Sequence, residues 1–174
     1  MPASNVTVTA QWEEIVVTPR QDFSTGYWVL VTDASELADK DYIIVAAKDY
    51  NVAMVSYDYD IRKNNCGQTD ITKFGNNNYF LTWKEEIGVF QLANSGSNYT
   101  IQDVNTEEYL YAAGGESSNY LKAADEIPSD AEAAKPYIWS ITIADGVTTV
   151  QATSNGRNLL KYNATNNSGQ LFSC

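Results

Sequence analysis

The chain has 174 residues, a length that allows one compact domain plus a tail and argues against two full domains. Its 11 Lys+Arg stand against 22 Asp+Glu, and the net charge of -11 repels phosphate backbones and anionic lipid, which excludes nucleic acid as a partner. With no His at all, the chain lacks the best proton carrier near neutral pH and the commonest metal ligand, so Ser/His/Asp triads and His-bearing zinc sites are excluded too.

From the N-terminus onward the apolar pattern has period two far more often than 3.6. Val6, Val8 and Ala10 alternate with Asn5, Thr7 and Thr9 as a first strand. Strands are then predicted at Tyr27-Trp28-Val29-Leu30-Val31 and Tyr42-Ile43-Ile44-Val45, with a short helical turn at Ala34-Ser35-Glu36-Leu37 between them. The alternating run Phe80-Leu81-Thr82-Trp83 follows, with Trp83 read as core. Phe90-Gln91-Leu92 and Tyr99-Thr100-Ile101 come next, and a second helical turn lies between Pro128 and Ala134, with Ser129 as its cap and Glu132 at the capping-box position. Trp139-Ser140-Ile141-Thr142-Ile143 and Val147-Thr148-Thr149-Val150 close the series. Turn pairs Ser95-Gly96, Asp145-Gly146 and Asn155-Gly156 sit at hairpin spacing. Many short strands separated by Gly, Asn and Asp turns imply an all-β protein, a barrel or a sandwich.

An internal repeat selects between these. A shift of about 49 positions lays Phe90 on Trp139, Leu92 on Ile141, Ile101 on Val150 and Leu110 on Leu159. The segment from Gly26 to Asn78 forms a third arm with longer strand spacing, and Trp28 and Trp139 start equivalent strands, both expected in the core. Three arms of this kind fit a β-trefoil-like pseudo-threefold barrel, with a β-sandwich as the alternative. Cys66 and Cys174 are too few for a disulfide framework and lack C-x-x-C spacing; one staple between them is left open. No stretch reaches the roughly 20 apolar residues of a bilayer span, and the first ten residues have neither the basic nor the apolar region of a signal peptide.

The start MPASNVTVTAQW resembles the last strand of the Listeria-Bacteroides repeat, a small extracellular β module of surface proteins. The segments YWVLVTDASELADKDYIIVAA, EEYLYAAGGESSNYLKAAD, GRNLLKYN and LFSC resemble a trefoil-like C-terminal domain of secreted Bacteroidetes proteins. The resemblance implies an end strand and linker over 1-22 and a β-trefoil-like domain over 23-174. It also implies one further strand after Leu171-Phe172-Ser173-Cys174, which this domain is expected to lack. Its setting would be a longer secreted or cell-surface protein, with other domains of the same parent chain as partners. The Q-x-W signature of ricin-type lectins is missing from the arms, so their sugar sites do not transfer.

Two clusters carry binding chemistry. Tyr57-Asp58-Tyr59-Asp60 places rings on one face and carboxylates on the other when extended, and a sugar wants both: an aromatic platform for its C–H face and planar polar groups for vicinal hydroxyls. The alternative is a solvated loop with one Tyr packed inward. As a Ca²⁺ loop it begins D-x-D, but Arg62 takes the next ligand position, so no metal is expected. The second cluster joins Tyr109 and Tyr111, on one face of a strand, to Asn119 and Tyr120 beyond the Gly114-Gly115 turn. Its alternative is that Tyr109 fills the layer between arms and Tyr111 is half exposed. Tyr162 and Asn163 recur at the corresponding place in the last arm.

Acids are plentiful, but adjacent pairs on a strand point apart, and no G-x-S-x-G elbow, P-loop or dinucleotide fingerprint occurs. The expectation is a non-catalytic, lectin-like carbohydrate-binding module with no cofactor and a glycan or polysaccharide partner. The alternative is a structural or protein-contact spacer, and the two differ in whether the tyrosines gather in one groove or scatter into the core.

Overall fold

The computed structural model describes residues 28–37, 40–46, 52–56, 66–68, 71–74, 78–81, 87–115, 120–144, 147–154, 156–163 and 171–174. The Listeria-Bacteroides-like start, Trp12, Trp83, the Tyr57-Asp58-Tyr59-Asp60 cluster and Asn119 lie outside them.

The described chain is all-β. Short strands β1 (Trp28–Val29), β2 (Asp41–Tyr42), β3 (Val52–Met54) and β4 (Cys66–Gln68) precede β5 (Ile71–Phe74) and β6 (Asn78–Leu81). Then come β7 (Phe90–Ser95), β8 (Asn98–Asp103), β9 (Tyr109–Ala112) and β10 (Leu121–Ala124), and finally β11 (Trp139–Ala144), β12 (Val147–Ala152), β13 (Lys161–Asn163) and β14 (Leu171–Ser173). A one-turn helix α1 (Ala131–Ala134) runs into a 3₁₀ turn over Lys135–Tyr137, and another 3₁₀ turn covers Ala34–Glu36.

The helix begins one residue later than Ser129 would place it. Asp130 is the cap, its Oδ1 accepting from the backbone N–H of Glu132 at 3.1 Å and Ala133 at 2.9 Å. Asp130→Ala leaves those two donors to water and is expected to lower stability by about 1 kcal/mol, read as a shift in the urea midpoint at unchanged slope. The Glu132–Lys135 ion pair at 2.6 Å is exposed and contributes little.

The hairpin β7–β8 turns through Gly96 and Ser97. Gly96 has φ 68, the first-position conformation that a two-residue II′ turn requires and that glycine adopts without a Cβ clash. That turn pairs Ser95 with Asn98 and so fixes Leu92 opposite Ile101 and Phe90 opposite Asp103. Hairpin β11–β12 repeats the register, Ile141 opposite Val150 and Trp139 opposite Ala152. The repeat seen in the sequence is therefore a repeat of pairing.

The recurrence extends to the first arm. After each central strand the chain turns and returns through one backbone hydrogen bond: Ala46 N to Val52 O, Asp103 N to Glu108 O, and Ala152 N to Asn158 O, at 3.0, 2.9 and 2.8 Å. The adjoining pairs are Val45 with Ala53, Gln102 with Tyr109, and Gln151 with Leu159. Residues 46, 103 and 152 are all buried. By this register Leu110 corresponds to Leu160 and Tyr109 to Leu159, one residue off the alignment that the sequence suggests, because the loop after Ala152 is one residue longer than the loop after Asp103.

Arms also meet alike: Tyr42 pairs with Phe90 as Tyr99 pairs with Trp139. β8 thus has β7 along one edge and both β9 and β11 along the other, within a seven-stranded sheet. The opening strand of the first arm departs from the pattern. β1 pairs with β6, which also pairs with β5, and Trp28 is half-buried where Phe90 and Trp139 are fully enclosed. Among the described residues no sheet closes into a barrel.

One core joins the arms, built from Val52, Met54, Phe90, Leu92, Ile101, Leu110, Leu121, Trp139 and Phe172. Every one of these on β7 to β11 occupies the inward position of an alternating strand, as in the buried–half-buried pattern of β9 and β10. Gly88 lies against the first arm: a Cβ there would sit 2.9 Å from the backbone nitrogen of Ser56 and 2.6 Å from the Phe90 ring. Cys174 is free and buried, so the staple with Cys66 is not formed, and burial pushes its thiol up to about 12.

Candidate functional site

Period two sends the residues between the core positions to the outer face of the same sheet. On β7, β8 and β9 these are Gln91, Ala93, Thr100, Gln102, Tyr109 and Tyr111. Five of them, all but Tyr111, line a depression of about 260 Å³ whose floor reaches Leu92. The pairing register sets Asp41, Gln91, Gln102 and Tyr109 side by side across β2, β7, β8 and β9.

Each glutamine is held by one hydrogen bond. Gln91 Nε2 donates to Asp41 Oδ1 at 3.1 Å, and Gln102 Nε2 donates to the Glu107 carbonyl at 2.8 Å. Glu107 has φ 62, a left-handed conformation uncommon for a residue with a Cβ. The turn that imposes it is fixed by the buried Asp103. Its Oδ1 accepts from the Asn105 backbone N–H at 2.9 Å and from Ser56 Oγ at 3.1 Å, while Asn105 Nδ2 donates to Ser56 Oγ at 2.6 Å. The Glu107 N–H closes the turn on the Asp103 carbonyl at 2.8 Å. A buried carboxylate thus reaches the surface through one turn and orients the Gln102 amide.

Burial raises the Asp41 carboxyl above its ordinary value of 3.8, and the Gln91 hydrogen bond opposes this in part. A carboxyl with a raised folded-state value favours the fold fully below the unfolded value, and that contribution is lost as pH rises through the folded value. At neutral pH the ionised group therefore weakens the fold. Asp41→Asn keeps an acceptor for Gln91 and removes the charge, so its thermal midpoint should exceed that of the unaltered chain at pH 7 and lose that advantage below about pH 4. An equal midpoint difference at both pH values would contradict the electrostatic origin.

The tyrosines named from the sequence divide. Tyr109 is half-buried and faces outward into the depression, while Leu110 and Ala112 fill the core side of β9, so Tyr109 does not fill the layer between arms. Tyr111 shares the outward face but stacks on Tyr137 at 4.5 Å between centroids and 18° between planes. The hairpin β9–β10 brings Tyr120 back beside them, its carbonyl accepting from the Ala113 N–H at 2.8 Å, and leaves it 48% exposed. Tyr162 packs against the core, tilted on Phe172 at 5.3 Å, and Asn163 follows it on a separate two-stranded sheet. Of the proposed set, Tyr109, Tyr111 and Tyr120 share a face, and Tyr162 and Asn163 do not join them.

The sequence motifs do not single out Asp41, Gln91, Thr100 or Gln102, which share this outer face. The signal available was Phe90-Gln91-Leu92 beside Ile101-Gln102-Asp103, two outward amides that a two-residue Gly96-Ser97 turn must place opposite each other. Among the described residues no group of three or more His, Cys, Asp or Glu could hold a metal ion, and no helix is long and apolar enough to cross a membrane. No family model, no curated protein and no solved structure matches this chain.

Proposed function

We propose that the chain is a non-catalytic, lectin-like carbohydrate-binding module on a β-trefoil-like pseudo-threefold frame, an accessory part of a secreted or cell-surface bacterial protein of Bacteroidetes type. The frame is supported by the recurring return bonds at Ala46, Asp103 and Ala152 and by the two like arm contacts, Tyr42 with Phe90 and Tyr99 with Trp139. The function rests on one observation: the outer face of β7 to β9 gathers an aromatic ring, two amides and a hydroxyl around an open depression. A ring takes the C–H face of a sugar, and amides match hydroxyls without the desolvation cost of a charge.

Affinity electrophoresis against a broad panel of host and plant polysaccharides tests this reading. At least one polymer should retard the protein, and Tyr109→Ala should weaken that retardation by about tenfold, roughly 1.4 kcal/mol of lost stacking. Absence of retardation across the panel would leave the spacer or protein-contact module as the better account. That account draws support from Tyr162 and Tyr111, whose rings are engaged in packing.

A further inference from the structure

We infer that the cross-strand row Gln91, Gln102 and Tyr109 is a subsite for two linked units of a neutral glycan, and that it discriminates against uronic-acid and sialylated chains. The inference rests on the glycan-binding reading and names the substrate class of that same depression.

Three observations carry it. First, the two amides are oriented and incompletely used. Each Nε2 donates to a fixed acceptor, and neither Oε1 accepts a hydrogen bond among the described residues. The two glutamines are cross-strand partners on strands about 4.8 Å apart, and each leaves a carbonyl oxygen to accept from a hydroxyl. Second, the Tyr109 ring lies one strand further on in the same row, and its hydroxyl has no partner among the described residues. From Gln91 to Tyr109 is two strand spacings, about 10 Å, which accommodates two linked pyranose rings: one against the phenol ring, the next on the amides. The row runs perpendicular to the strands, so the glycan crosses them.

Third, the row itself carries no cation. No Lys or Arg is among the lining residues. Asp41 stands at one end of the row with Lys40 immediately before it in the chain, and Glu107 and Glu108 immediately precede Tyr109 at the other. Lys122 lies opposite Tyr111, one step beyond, outside the lining. A ligand carboxylate on the row would lose its water with no lining cation to replace it, and next to Gln91 it would meet the Asp41 carboxylate. Hydroxyls meet no such cost.

The experiment compares retardation by neutral β-glucan, galactan and mannan with that by polygalacturonate, alginate and a sialylated mucin, for the unaltered chain and for Gln91→Ala, Gln102→Ala and the exposed Val147→Ala on β12. All three substitutions are outside the core, and circular dichroism with a thermal melt confirms that each variant is folded. Binding to a neutral polymer, weakened about 3- to 10-fold by either Gln substitution through the loss of one neutral hydrogen bond and unchanged by Val147→Ala, supports the subsite. Preferential binding of a uronate or sialylated polymer overturns the neutral specificity and leaves the glycan-binding reading standing. Neutral binding indifferent to both Gln substitutions places the site elsewhere and overturns the row. Silence across all six polymers overturns the row together with the reading on which it rests.

Discussion

Trp139→Ala should be the most destabilising single truncation in the described chain, costing about 3 to 5 kcal/mol of unfolding free energy. Trp139 is fully enclosed and lies where two arms meet, opposite Tyr99 on β8 and opposite Ala152 on β12. Its ring belongs to the common core, and its Nε1–H donates to the Leu110 carbonyl at 3.1 Å in a buried bond. Truncation opens a cavity and also leaves that carbonyl without its indole partner, which adds about 1 kcal/mol or more. Trp139→Phe separates the two effects: it restores most of the volume and none of the hydrogen bond, so it should lose clearly less than Ala. Phe90→Ala, at the equivalent opening position of the preceding arm, has the cavity without the indole bond and should fall below Trp139→Ala. Urea unfolding followed by circular dichroism gives all three midpoints. A Trp139→Ala loss under 1.5 kcal/mol would falsify the placement of this residue at the arm junction.

The equivalence of Phe90 and Trp139 was legible in the sequence because a strand repeat keeps its period-two phase, and apolar residues at matching inward positions betray it. The hairpin β7–β8 was legible for a similar reason, since Ser95-Gly96 supplies the positive φ that a two-residue turn needs. Leu110 against Leu159 misled by one residue: Leu159 and Leu160 are adjacent, so an apolar match is available at either, and only the return bond from Ala152 to Asn158 shows which one the longer loop selects. The capping residue was similarly ambiguous, because Ser129 and Asp130 are both good acceptors and only the start of the helix at Ala131 decides between them. The repeat places Trp28 in the core by analogy with Trp139, and the pairing of β1 with β6 leaves it half-buried.

The outward face of Tyr109 and Tyr111 followed from alternation alone. Which other side chains join them did not, because the row Asp41, Gln91, Gln102, Tyr109 is assembled from four strands and depends on register, a long-range property. The stacking of Tyr137 on Tyr111 depends on the 3₁₀ turn over Lys135–Tyr137 folding back over β9. Tyr162 looked like a repeat of the Tyr/Asn pair, but the register that sets it against Phe172 turns it to the core. Composition identified the residue types a sugar site uses, and pairing decided which of them share a surface.

Asp103→Ala should lower stability by about 2 to 4 kcal/mol and weaken glycan retardation in the same variant. The stability loss follows from its position. Asp103 is completely buried at the return point of its arm, where the other two arms carry Ala46 and Ala152. An alanine is therefore sterically acceptable at this point of the fold, and what Asp103→Ala removes is the acceptor rather than the packing. Ser56 Oγ and the Asn105 N–H lose their bonds to Oδ1, and a buried or half-buried donor left unmade costs about 1 to 3 kcal/mol. The binding loss follows from the chain of contacts above Asp103. Without the Asn105 bond the turn no longer holds Glu107 at positive φ, the Glu107 carbonyl shifts, and the Gln102 amide loses the acceptor that orients it. Asp103→Asn retains one oxygen acceptor and should recover most of the stability and most of the retardation. Glu107→Gly provides the converse check: glycine adopts φ 62 without strain and keeps the carbonyl, so retardation should persist. If Asp103→Ala lowers the unfolding midpoint yet leaves the contribution of Gln102 to retardation intact, the turn supports the fold alone and the amide is oriented by the strand itself.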